Sequence, residues 1–184
     1  MSARKGDAPP GAITTRTERQ AAAGHWLLAA SPLISRGLAD WKDKGVTRLR
    51  PGIMFGAVSI PAALIHAALA STSPKESAAP LAEVLNGGPV FYEPDPGGEE
   101  DAYTALLHAT AGAKWDRPDS VVHPYRALLQ VPAPYRCGPG DDPSLPWWVV
   151  PIDGPGLVCP PDRLAALVAC GREALDGGVA GGYE

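Results

Sequence analysis

Proline placement constrains this chain more than any other feature. Eleven of its 21 prolines fall between Pro118 and Pro161. Each fixes φ and removes a backbone donor. A segment so punctuated cannot run as a long helix or a central strand, so it is expected to fold as short strands joined by elaborate loops. Glycine is as frequent as proline, and the two make up 42 of 184 residues. That is just under the roughly 25–30% at which disorder becomes the expectation. Thirty-eight Leu, Ile, Val and Phe residues are a thin supply for a core, but five Trp and five Tyr add large buriable rings. The length suits one domain. Collagen-like and coiled-coil chains are excluded by the lack of period, and disulfide scaffolds by only three cysteines.

The net charge of −4 is unevenly placed. Residues 1–51 carry a balance of +5 and residues 52–184 a balance of −9. A basic first third suits phosphate or an acidic protein surface. The acidic remainder argues against a broad nucleic-acid groove. The first residues lack the apolar run of a secretory signal. The uncharged stretch from Pro51 to Pro74 is interrupted by Pro, Gly, Ser and His, and reads as a strand followed by a helix rather than a membrane span. Cys137, Cys159 and Cys170 show no metal-ligand spacing, which suits a reducing cytoplasm.

Residues 1–16 read as a disordered basic arm, 17–178 as one domain and 179–184 as a frayed tail. Thr17 to Gln20 fits a capping box, and Ser31-Pro32 a second helix start. Ile34, Leu38 and Trp41 then form an apolar stripe that ends at Gly45. Strands are expected over Val46–Arg50, Ile53–Ile60, Pro89–Tyr92, Tyr103–Thr110, Arg126–Val131 and Trp147–Ile152. Helices are expected from Pro61, over Lys75–Leu85, and from Pro160-Pro161 to Gly177-Gly178, the last with Leu164, Leu167, Val168 and Leu175 on one stripe. The order gives a mixed α/β or α+β fold: a single layered domain of five to six strands and three to five helices.

Few residues invite chemistry. Gly138-Pro139-Gly140 and Gly154-Pro155-Gly156 are turns, since proline lacks the amide that would cradle a phosphate. The carboxylates at 99–101, 116, 119, 141 and 142 sit in loops and read as solvated charge. No histidine pairs with another at metal-ligand spacing, so neither metal nor cofactor is expected. His66 and His108 read as hydrogen-bonded core or edge residues, with His108 on a strand beside Leu106 and Thr104. Cys170 reads as core, and Cys137 as an exposed thiol in the Pro-rich loop. Arg48 and Arg50, two apart on a strand, share one face as a small basic ridge. Trp147 and Trp148 point to opposite faces, leaving one at most for a ligand. The candidate binding residues are therefore Arg48, Arg50, His108, Arg126 and Trp147.

Residues 48–61 (RLRPGIMFGAVSIP), 87–91 (GGPVF), 131–134 (VPAP) and 147–151 (WWVVP) resemble small bifunctional DNA primase/polymerase-like proteins of GC-rich bacteria. Active members carry an acidic pair and a histidine on strands for two-metal nucleotidyl transfer. Where the pair is expected, this chain has Phe55-Gly56-Ala57-Val58-Ser59, and His108 matches the histidine only loosely. The resemblance thus implies a degenerate, non-catalytic scaffold that binds a nucleotide, a nucleic acid or a protein. Two other readings stand beside it. One is a regulatory module whose acidic body docks a basic partner. The other is a small enzyme using Cys137 or His108.

Overall fold

The computed structural model describes residues 15–95, 100–125 and 127–180. The expected arm lies outside the described residues as far as residue 14, as do Arg126 and residues 181–184. Helix α1 (Arg16–Leu28) opens on a capping box two residues earlier than expected. The Glu18 amide donates to Thr15 Oγ1 at 3.2 Å, and the Thr15 amide donates to the Glu18 carboxylate at 2.9 Å. A carboxylate accepts an amide more strongly than the Gln20 carbonyl would, which favours Thr15 over Thr17 as the cap.

Helix α2 (Ile34–Lys44) starts two residues beyond the expected Ser31-Pro32. Ser31 Oγ instead turns onto the Leu33 backbone, accepting from its amide at 3.3 Å and donating to its carbonyl at 3.0 Å. The expected stripe is corrected too: Ile34 and Leu38 are each 56% exposed, and Gly37 and Trp41 form the buried face. The reason is a close approach. A Cβ on Gly37 would lie 2.7 Å from Leu28 Cδ2, so α1 packs where α2 has no side chain. Hydrophobic periodicity does not register a glycine contact. Gly45 ends the helix in the left-handed region, φ +73°, as expected.

Strands β1 (Val46–Leu49), β2 (Gly56–Pro61), β3 (Val90–Glu93), β4 (Ala102–Leu107), β5 (Val121–Val122), β6 (Leu129–Pro132) and β7 (Trp147–Val150) form two antiparallel sheets. Five strands lie in the order β5-β2-β4-β3-β7, and β1 pairs with β6 as a separate ribbon. The remaining helices are α3 (Ala62–Leu69), α4 (Pro74–Val84), α5 (Ala109–Ala113) and α6 (Pro161–Ala180). Ser73 caps α4 with Pro74 at its first position, one residue before the expected start at Lys75.

Alternation along the strands builds two cores. Val58 and Ile60 of β2, Tyr103, Ala105 and Leu107 of β4, and Val90 and Tyr92 of β3 face α3, α4 and α6, meeting Leu64, Ile65, Leu81, Leu164, Leu167 and Val168. Ala57, Leu106, Phe91 and Trp148 face the other way, onto Leu27 and Leu28 of α1, Trp41 of α2, and Leu49, Leu129 and Val131 of the ribbon. The result is one α+β domain in layers, with the five-stranded sheet in the middle.

Three further expectations are corrected. The strand from Tyr103 stops at Leu107, and His108 is the exposed residue at the start of α5 rather than a strand residue. Gly112 of α5 lies against Gly56, where an added Cβ would sit 2.8 Å from the facing Cα; these two glycines let α5 fold back onto β2. Helix α6 runs on through Gly177 and Gly178, and Leu175 is 37% exposed. Cys170 is exposed on the same helix rather than in the core.

Helix α6 meets α3 through Gly171, where a Cβ would lie 2.2 Å from the Leu64 carbonyl oxygen. Gly171→Ala is expected to cost about 1–3 kcal/mol by overpacking. Gly177→Ala, with nothing within 4 Å of the new methyl, is expected to stabilise by up to about 1 kcal/mol through helix propensity. Urea midpoints shifting in opposite directions, with an unchanged m value, check the pair.

Candidate functional site

Arg126 lies outside the described residues, and the four described candidates do not converge. Arg48 lies exposed on β1 opposite Gln130, and Arg50 is exposed one residue past the strand. His108 is at the far end of β4. Trp147 packs against the helical side of the central sheet, its ring 5.8 Å from Tyr92 and tilted by 55°. Its neighbour Trp148 is buried on the opposite face, donating Nε1–H to the carbonyls of Pro132 and Ala133 at 3.2 and 3.1 Å. Among the described candidates, only Arg48 and Arg50 lie close together, two apart in the chain.

Beside Arg48 lies a groove of about 570 Å³, within the range of ligand sites. One wall is the link before α2 and the helix itself: Leu33, Arg36, Gly37, Asp40 and Lys44 recur at helical spacing along it. The other is β1. Val46, Thr47 and Arg48 all line the groove. Side chains alternate between faces, so three consecutive lining residues fit a strand that presents its backbone edge, and Gln130 of β6 and Leu128 just before it line the groove as well.

The ribbon register agrees. The Ala133 amide bonds the Gly45 carbonyl at 2.8 Å, and Thr47 and Leu49 stand opposite Val131 and Leu129. In an antiparallel pair, alternate residues direct both polar groups at the partner. Thr47 and Leu49 therefore turn towards β6, while Val46, Arg48 and Arg50 turn to the open side. Pro132, which has no amide hydrogen, stands opposite Val46, where none is needed. The link before α2 meets this edge once: the Arg50 amide donates to the Ala30 carbonyl at 2.9 Å. Among the described residues, the Arg48 backbone has no such partner.

Lys44 pairs with Asp40 at 3.1 Å. Among the described residues, Arg36 and Arg48 have no carboxylate partner, so the groove carries two uncompensated guanidinium groups beside the apolar Leu33, Pro32 and Leu128. Hydrophobic periodicity does not reveal Arg36, because the apolar stripe it marks follows Ile34 and Leu38.

A second arrangement, which the sequence did not suggest, crosses the central sheet. His123 Nε2 lies 2.7 Å from Ser59 Oγ, Ser59 bonds Thr104, and the Thr104 hydroxyl donates to the Glu93 carboxylate. Burial pushes the Glu93 carboxyl up, with the Thr104 bond opposing it, and pushes the His123 imidazole down. Both ends therefore favour their neutral forms. No nucleophile–base–orienter order exists here, because the hydroxyls separate the imidazole from the carboxyl. The chain satisfies polar groups inside the sheet. On the opposite face, His66 Nε2 lies 2.8 Å from the Tyr103 hydroxyl, the edge role expected of that histidine.

No family model, curated protein or solved structure matches the chain. Among the described residues, no three His, Cys, Asp or Glu side chains gather as metal ligands, and no helix is long and apolar enough to cross a membrane.

Two predictions follow from these environments. A carboxyl whose folded pKa lies above its unfolded value adds stability at low pH that is lost as pH rises through the folded value. Glu93→Gln removes that titration, so the variant gains stability relative to the parent as pH climbs above the ordinary Glu range. Denaturation at a series of pH values checks this; a difference independent of pH contradicts it. Burial pushes the Cys159 thiol up to about 12 and also raises Cys137, with Arg16 opposing. In folded protein at neutral pH, a thiol reagent should label Cys170 first and Cys137 more slowly, and reach Cys159 only on unfolding.

Proposed function

We propose that this chain is a non-catalytic binding domain on a degenerate primase/polymerase-like scaffold, with the α2–β1 groove as its recognition surface for an anionic ligand. The observation that carries the reading is the pair Arg36 and Arg48 lining one groove without a carboxylate partner among the described residues. Uncompensated guanidinium groups beside apolar side chains suit a ligand with an anionic group on an apolar body. The resembling segments coincide with β1, β2, β3, β6 and β7, the framework that holds the groove and the sheet. Free cysteines are compatible with the reducing cytoplasm, where we place the domain.

The enzyme reading draws less support. The raised Cys137 thiol is a poor nucleophile at neutral pH, and among the described residues His108 touches no nucleophile.

Amide-resolved NMR titration with pyrophosphate, a nucleoside triphosphate, single-stranded DNA and an acidic peptide tests the proposal. At least one of these anions should shift amides of residues 31–37 and 46–48. Arg36→Glu or Arg48→Glu should weaken that binding at least tenfold, about 1.4 kcal/mol. Shifts concentrated elsewhere, or affinity indifferent to charge reversal, would contradict it.

A further inference from the structure

Resting on that reading of the groove, we infer that its ligand is an acidic, extended segment of a partner protein, which bridges the open backbone of Arg48 while its carboxylates meet Arg36 and Arg48. Three observations lead there. First, the edge of β1 already accepts a pairing neighbour. The Ala30 carbonyl takes the Arg50 amide at 2.9 Å, and Arg48 is the next residue whose amide and carbonyl face the same way. A short extended segment would continue the pairing that Ala30 begins, by the main-chain hydrogen bonding through which exposed edges take added strands.

Second, the side chains around the edge set its composition. Arg36 and Arg48 supply positive charge, and Leu33 and Leu128 supply apolar contact. An extended segment directs alternate side chains to opposite sides, so alternating acidic and aliphatic residues match both. Charge on an exposed edge also discourages indiscriminate pairing, which leaves selectivity for acidic strands. Third, among the described residues no aromatic side chain lines the groove, whereas nucleobases are ordinarily held by stacking on aromatic rings. The chain's own first residues are an unsuitable occupant, since Arg4 and Lys5 outnumber Asp7.

The contact is short. Gly45 joins α2 directly to β1 before Val46, and Arg50 is already bonded to Ala30, so the segment engages Arg48 and little more of the main chain. Modest affinity and strong salt dependence are expected of such a site.

The test uses the whole chain and a short peptide alternating glutamate with valine. Its controls are the same peptide with lysine for glutamate, the same peptide methylated on its backbone nitrogens, a nucleoside triphosphate and single-stranded DNA. The acidic peptide should bind and slow hydrogen exchange at the Arg48 amide at least tenfold. The lysine peptide should not bind, and backbone methylation should weaken binding at least tenfold. Arg48→Glu should abolish the interaction without moving the urea midpoint. Binding indifferent to backbone methylation, or without protection of Arg48, would overturn the strand pairing. A groove that responds to nucleotide or DNA and not to the peptide would overturn the inference while leaving the anion-binding reading intact. Silence at the groove with every probe would overturn both.

Discussion

The structure depends on burying one strand along all but its first residue. From Tyr103 to Leu107, every residue of β4 has zero relative exposure, and the side chains alternate between two separate cores. Such a strand needs a layer on each side, and the chain supplies them from different stretches. Helices α3, α4 and α6 cover one face, while α1, Trp41 and the β1–β6 ribbon cover the other. The single polar residue in that run, Thr104, is held by Ser59 and Glu93 from the neighbouring strands. A buried hydroxyl without those partners would cost of the order of 1–3 kcal/mol, so the polar chain ending at His123 is a consequence of the double burial.

The ribbon exists for the same reason, and the groove is its by-product. Leu49, Leu129 and Val131 must face the core to cover Phe91 and Leu106. Arg48 and Gln130 are then turned outward by alternation. Because β1 pairs on one side only, its other edge faces α2, which Gly45 folds back beside it. Recognition chemistry thus gathers at the boundary of the covering layer, where packing no longer dictates side-chain identity.

Elements with strong local signals were legible in the sequence. Pro61 and Pro160-Pro161 mark boundaries that the structure keeps within a residue, because proline acts through its own φ. The outward position of Arg48 on β1 was legible by simple alternation. What stayed hidden was set by contacts between distant segments. Gly37 against Leu28 turned α2 so that Ile34 and Leu38 face outward. Gly56 against Gly112 drew α5 onto β2 and took His108 out of the strand. Strand β5 is two residues long, too short for any period to show. The groove needed the rotation of α2 before Arg36 could be placed in it, and the His123–Glu93 chain needed the strand order.

Strand β1 is paired on one side and open at Arg48 on the other. Residue-resolved hydrogen exchange on the ligand-free protein measures this directly. Slow exchange is expected at Thr47 and Leu49, whose amides face β6, and at Arg50, whose amide is bonded to Ala30, with fast exchange at Arg48 alone among the four. Protection at Arg48 equal to that of its neighbours would mean that the edge is already filled and that no strand can be added there.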